Sequence, residues 1–261
     1  MSKGPGPSWS FRFFLPLVAP VLVLFLWQGA SDLGWIKPAL LPAPLAVGKA
    51  FLDLLASGEL WHHWRVSMVR VLEGFLAGSG LGILLGLGLG LSPRLERALW
   101  LVTGFLRPIP TIAWIPVLIL WMGIDEGSKV TVIAVGSFWP VLLNTLRGVR
   151  DTDPKLLEVA RALEKGPRTL LLRVVLPSAF PAILTGLRIA MGIAWASVVG
   201  AELIAASAGV GYLIMYAREV SQPDVMLAGV AVIGLTGILI DLAFERTERR
   251  FLRWQTRGEG Q

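Results

Sequence analysis

Residues able to do chemistry are few in this chain of 261, and most stand alone. Cysteine is absent, which removes disulfides, thiol nucleophiles and Cys-ligated zinc. The two histidines, His62 and His63, are adjacent, and neighbours on a helix point in different directions, so they make a poor metal chelate. Flanked by Trp61 and Trp64, they suit a membrane–water interface. With no histidine–acid cluster and no serine beside a base, neither a catalytic residue nor a metal site is expected. A nucleotide phosphate loop needs Gly-x-x-x-x-Gly-Lys and then Ser or Thr; Gly48-Lys49-Ala50 and Gly127-Ser128-Lys129 come nearest and both fail. What remains are polar residues inside apolar runs: Arg107, Asn144 and Glu202. A charge at the bilayer centre costs at least about 2.5 kcal/mol, so Arg107 and Glu202 either face a partner or a watery path or lie nearer an interface than their runs suggest.

The elements that carry these residues are membrane spans. Hydrophobic residues make up 54% of the chain and charged ones 16%, against about a quarter charged in soluble domains. Apolar runs near the crossing length of about 20 residues occur at Phe13–Ala30, Gly74–Leu91, Ala98–Met122, Val130–Leu146, Ala182–Ile204 and Val225–Phe244. No polar stretch is long enough for a soluble domain, so residues 1–261 are expected to form one all-α membrane domain of about six spans. The first run follows Lys3 and Arg12 as a secretory signal would, but its length, its prolines 16 and 20 and the lack of a small-x-small site favour an uncleaved span.

Six spans put both termini on one side. Taking that side as the cytoplasm gathers seventeen Lys and Arg there against six outside, Arg107 being the remaining one of 24. This bias satisfies the positive-inside rule, and orientation rather than nucleic-acid binding explains the net charge of +6. Outside, Leu41-Pro42-Ala43-Pro44 precedes an amphipathic stretch, Leu45–Leu55, with Val47, Phe51, Leu54 and Leu55 on the face expected to lie on the membrane.

Two features concern packing and bending. Gly74, Gly78, Gly82, Gly86 and Gly90 recur every four residues and form one stripe that another helix can approach, within the subunit, at a dimer seam or along a path. Arg107-Pro108-Ile109-Pro110 breaks the third run, because proline has no amide hydrogen and clashes with the preceding turn. Broken helices persist in membranes where they are buried in protein or line a cavity, so Arg107, Pro108 and Pro110, with Asn144 and Glu202, are the candidate path residues.

The long cytoplasmic stretch at about 150–178 reads as two short amphipathic helices. Asp153 caps the first, Pro154 opens it, and Gly166-Pro167 ends it and starts the second, which runs to about Val175 before Leu176-Pro177. Leu156, Ala160 and Leu163 are expected on one apolar face. By themselves such helices suit either a docking surface or the membrane interface.

Glu158-Val159-Ala160, the glycine-centred turn and the terminal Leu176-Pro177 resemble the EAA loop of binding-protein-dependent ABC importer permeases. With Leu41-Pro42-Ala43-Pro44, Arg107-Pro108-Ile109-Pro110, Asp153 to Arg161 and Thr185-Gly186-Leu187-Arg188, the resemblance covers nearly the whole chain and is similar to the branch that imports nitrate, sulfonate, taurine or bicarbonate. It implies a multi-pass subunit of a bacterial inner membrane that pairs with a second permease copy. It also implies an ATP-binding subunit inside, which carries ATP and Mg, and a periplasmic or extracellular solute-binding protein, while this chain binds no cofactor. Glu158, Ala160, Ala162, Glu164, Gly166, Leu176 and Pro177 would contact the ATP-binding subunit. The family's usual glycine is Glu164 here, with Gly166 two places later, so the first coupling helix is expected to run slightly longer. An ion-coupled secondary transporter is the alternative, but it would call for inverted repeats and mid-membrane carboxylates. Arg107 favours anions, with sulfonates first and nitrate, taurine or bicarbonate next.

Overall fold

The computed structural model describes residues 9–251, and every regular element among them is helical. The helices are α1 (Trp9–Asp32), α2 (Pro44–Ala56), α3 (Glu59–Leu91), α4 (Pro93–Leu106), α5 (Trp114–Met122), α6 (Glu126–Arg150), α7 (Pro154–Ala162), α8 (Pro167–Leu170), α9 (Leu176–Ala205), α10 (Val210–Glu219) and α11 (Pro223–Phe251). A 3-10 turn, Thr111–Ala113, leads into α5, and a π-helical turn, Leu171–Val175, joins α8 to α9. Helices α3, α6 and α11 and the continuous run Pro167–Ala205 are long and apolar enough to cross a bilayer. The expected third span is a bent pair, α4 and then Thr111–Met122, with an 80° angle between its halves. The expected first span falls in α1, whose 24 residues include the apolar stretch Val18–Asp32. Of the charges used for orientation, Lys3, Arg253 and Arg257 lie outside the described residues.

The described chain divides into two compact units, one holding the residues up to Trp61 with Leu213–Ala231, the other His62–Tyr212 with the chain from Val232 on. In the first unit the Gln28 side chain accepts from the Leu45 amide at 3.2 Å, tying α1 to the start of α2. Helix α2 buries Ala50 and Leu54, whereas Leu55, expected on its apolar face, is exposed. Gly229 lets α11 press against Ile214 of α10.

The second unit is built on α3, α6 and α9. Val71 and Phe75 of α3, Ile133 and Val141 of α6, and Ala190, Ala194, Trp195 and Val198 of α9 make one core. The glycine stripe brings α3 onto α6. A Cβ at Gly78 would collide with the Ala134 carbonyl, and those at Gly74, Gly82, Gly86 and Gly90 would lie 2.6–2.9 Å from α6 atoms. Within this chain, therefore, α6 occupies the stripe. On the other side of α6, Gly148 and Gly186 allow the same closeness to α9. In its first half α9 is clasped to α11: Arg188 forms a two-pronged ion pair with Asp241 at 2.9 and 3.0 Å and reaches Glu248 at 3.2 Å.

Candidate translocation path and coupling surface

The loop at 150–178 begins as its sequence suggests. The Asp153 carboxylate accepts from the Lys155 amide at 2.9 Å, satisfying one of the first amides of α7, and Pro154 occupies a position where no amide is needed. The expectation of a longer first helix is corrected, because α7 ends at Ala162. Glu164 adopts φ +50°, and the Lys165 amide returns to the Ala160 carbonyl at 3.1 Å. This is the glycine-type helix stop with a glutamate in the left-handed position. Gly166, at φ −63°, is ordinary backbone that precedes α8.

Leu156, Ala160 and Leu163 lie on one face, as expected, and line a common groove. Leu157 packs inward on Val149, Val175, Ala179 and Ile183, and Ala160 is 6% exposed, while Leu156, Val159 and Leu163 are open. Ala160 is thus small because its own chain covers it, and the exposed positions of α7 include Leu156, Glu158, Val159 and Ala162. Leu176-Pro177 does not end the second helix. The π turn lets the chain pass Pro177, which lacks an amide hydrogen, and run on into α9. Leu156, Val159, Leu163, Arg173 and Pro177 line an open groove of about 510 Å³ between α7 and the start of α9.

At the break in the third span, Arg107, Pro108 and Pro110 are exposed, and the Arg107 guanidinium has no hydrogen-bond or ion-pair partner among the described residues. Beyond the break α5 is held by Ile115 and Leu118 packing on Val132 of α6 and Ala201 of α9. Asn144 donates its amide to the Pro140 carbonyl of its own helix at 2.8 Å and packs beside Gly186.

Glu202, expected beside a path, is instead sealed at 1% exposure. The Ser67 hydroxyl lies 2.8 and 2.9 Å from its two oxygens, the Arg70 guanidinium donates to it at 2.8 Å and the Gly211 amide at 2.9 Å. The same Arg70 donates to the Ala208 carbonyl at 2.6 Å and grips Glu126, at the start of α6, through two bonds of 2.5 and 2.6 Å. Ser67 also accepts from the Val210 amide at 2.9 Å, and His63 accepts from the Gly209 amide at 3.0 Å. The first turn of α10 is thus satisfied by side chains of α3 and α9, with a carboxylate at the positive end of the helix. A Cβ at Gly209, where φ is +122°, would collide with the Glu202 carboxylate. Removing one partner of such a buried pair typically costs about 3–5 kcal/mol, because it strands the other charge. These groups fasten the outgoing end of α9 to α3 and α6.

Residues 78–253 match the family model described as the binding-protein-dependent transport system inner membrane component. This chain belongs to that family. A Bacillus subtilis (strain 168) permease named for aliphatic sulfonates transport, SsuC, is 42% identical over 99% of this chain and 93% of its own length. The taurine transport system permease protein TauC of Escherichia coli is 35% identical over 89% of this chain and 86% of its own. The bicarbonate transport system permease protein CmpB of Synechococcus elongatus is 32% identical over 93% and 88%. An inward-facing structure of the MetNI methionine ABC transporter shares the fold, with a TM-score of 0.63 at 19% identity over 77% of this chain and 97% of that one. The chain is a multi-pass membrane permease of an ABC importer, of the sulfonate, taurine and bicarbonate branch.

In this permease the sequence reading found the break and the helical loop at 150–178 but missed Ser67, Arg70 and Glu126. Arg70 and Glu202 are 132 positions apart, so no local pattern announces their pairing. The available signal was that Arg70, like Glu202, is a charge on a long helix and needs a partner. His63, assigned to an interface, is 8% exposed and serves the α10 cap.

Proposed function

We propose that this permease forms the membrane path of an importer for aliphatic sulfonates. Two copies would stand side by side, with both termini in the cytoplasm. A solute-binding protein would deliver from outside, and a separate ATP-binding subunit, carrying ATP and Mg, would dock on α7 and hydrolyse ATP. The observation that carries the solute is the 42% identity, over almost the whole of both chains, to a permease named for aliphatic sulfonates. Support for the docking site comes from the groove of about 510 Å³ beside the exposed Glu158 and Val159, whose rim carries Lys165 and Arg173. Seventeen cytoplasmic Lys and Arg against six favour the orientation.

The test is uptake of labelled ethanesulfonate into vesicles holding the permease, its ATP-binding subunit and its binding protein. Uptake is expected with ATP and lost when the ATP-binding subunit is left out. Val159→Asp, which puts a charge on an exposed apolar contact without entering the core, should insert normally yet release the ATP-binding subunit. Uptake driven by an ion gradient without that subunit would favour a secondary transporter, and full coupling in Val159→Asp would move the docking surface elsewhere.

A further inference from the structure

Where the third span breaks, the chain turns past a face of α9 made of small residues. Thr111 and Ile112 on one side and Ile193, Ala196, Ser197 and Gly200 on the other line an apolar recess of about 320 Å³. That lies within the range of about 300–1,000 Å³ common for small-molecule sites.

Its two hydroxyls are not engaged by the backbone, a state shared by the buried hydroxyls of Ser79, Thr145 and Thr152, but these two face a recess. Thr131, Ser137 and Thr185 each spend theirs on the carbonyl four residues back, at 2.7, 2.8 and 3.1 Å. Thr111 and Ser197 make no such bond, and neither hydroxyl has a hydrogen-bond partner among the described residues. Both are held in place from behind, since a Cβ at Gly136 would lie 2.9 Å from the Ser197 oxygen and 3.2 Å from the Thr111 methyl. Arg107, exposed and unpaired among the described residues, stands three positions before Pro110 at the same break.

An apolar recess, two free hydroxyls and a nearby cation match a solute with a hydrocarbon part and an anionic end. An inorganic anion has nothing to bury there. We propose that this recess receives the alkyl chain of a short organic anion in transit, that Thr111 and Ser197 hydrogen-bond its charged end, and that Arg107 draws it to the break. The inference rests on the sulfonate-importer reading and adds a consequence: chain length, and not charge alone, decides what passes.

Gly200 gives access to the recess. A Cβ there would meet only the Ile115 and Ile112 side-chain tips, at 3.8 and 3.9 Å, so alanine fits and valine occupies space meant for solute. Vesicles with the complete transporter would be supplied from the binding-protein side with each straight-chain alkanesulfonate that the binding protein binds, and separately with nitrate. Gly200→Val should lower uptake of the longest chain against ethanesulfonate by about tenfold for each methylene that no longer fits. Gly200→Ala should shift the series the same way by less. Ser197→Ala should weaken uptake of every sulfonate without changing their order. A parallel fall for all chain lengths in both Gly200 variants, or no change in either, overturns the recess as a solute site and leaves it a packing seat for a second copy. Passage of methanesulfonate but of no longer chain by the parental transporter overturns it as well. Nitrate uptake with no sulfonate uptake by the parental transporter sinks the sulfonate reading itself.

Discussion

Glu164 shows how a single position can hold a family's backbone while breaking its sequence. The turn after α7 needs a left-handed residue, and Glu164 supplies φ +50° although a side chain there strains against its own backbone. Glycine reaches the same conformation freely, so Glu164→Gly should gain up to about 1 kcal/mol of local stability in the folded turn. Transport should be retained, and limited proteolysis between α7 and α8 should slow. Glu164→Val should do the reverse, because a β-branched residue with positive φ is a genuine outlier. Equal proteolysis rates in the two variants would mean that the turn is not what holds the loop. The sequence already marked Glu164 as the departure from pattern, but its consequence was misjudged: the missing glycine was expected to lengthen the helix. The backbone hydrogen bond from Lys165 to Ala160 closes the helix with glutamate, not glycine, at 164.

At the scale of elements, legibility followed the range over which each signal acts. The cap at Asp153, the break at Pro108 and Pro110 and the close approach along the glycine stripe are written in neighbouring residues, and the helices show all three. Pro177 misled because a proline removes one hydrogen bond but leaves open a π turn that restores the path of the helix. The ionic fastening at Glu202 was out of reach, since it depends on which helices become neighbours. The α3–α6 contact offers an internal control. Alanine at Gly78 would strike the backbone of Ala134, which cannot swing aside, whereas at Gly80, two residues along the same helix, nothing lies within 4 Å. Gly78→Ala should therefore cost about 1–3 kcal/mol or more through overpacking, seen as lower yield and melting temperature of the purified permease. Gly80→Ala should match the parent or exceed it, because alanine is the better helix former. If both variants behave alike, the α3–α6 contact is not close in the membrane.

For the whole molecule, the proposed pairing of two copies needs a surface, and the glycine stripe cannot supply it while α6 fills it. Helix α4 buries no residue within its own chain, and its apolar side chains are open: Trp100 is 70% exposed and Phe105 72%. On α5, Leu120 and Trp121 are 81% and 70% exposed. Lipid could cover these faces, since in a bilayer helices gain nothing from merely hiding apolar surface; tight packing is what drives them together. The break between α4 and α5 tips the balance, because irregular backbone at membrane depth must sit in protein or beside water, and the exposed Arg107-Pro108 segment has neither within one chain. A second copy against α4 and α5 would provide both the cover and the wall of a shared path. The chain has no cysteine of its own, so single cysteines report cleanly. Cysteine at Phe105 should cross-link two copies under mild oxidation in native membranes, cysteine at Gly82 should not, and native mass spectrometry should find two permeases with two ATP-binding subunits. Cross-linking at Gly82 without any at Phe105 would return the seam to the glycine stripe and with it discard the α4–α5 face as the dimer contact.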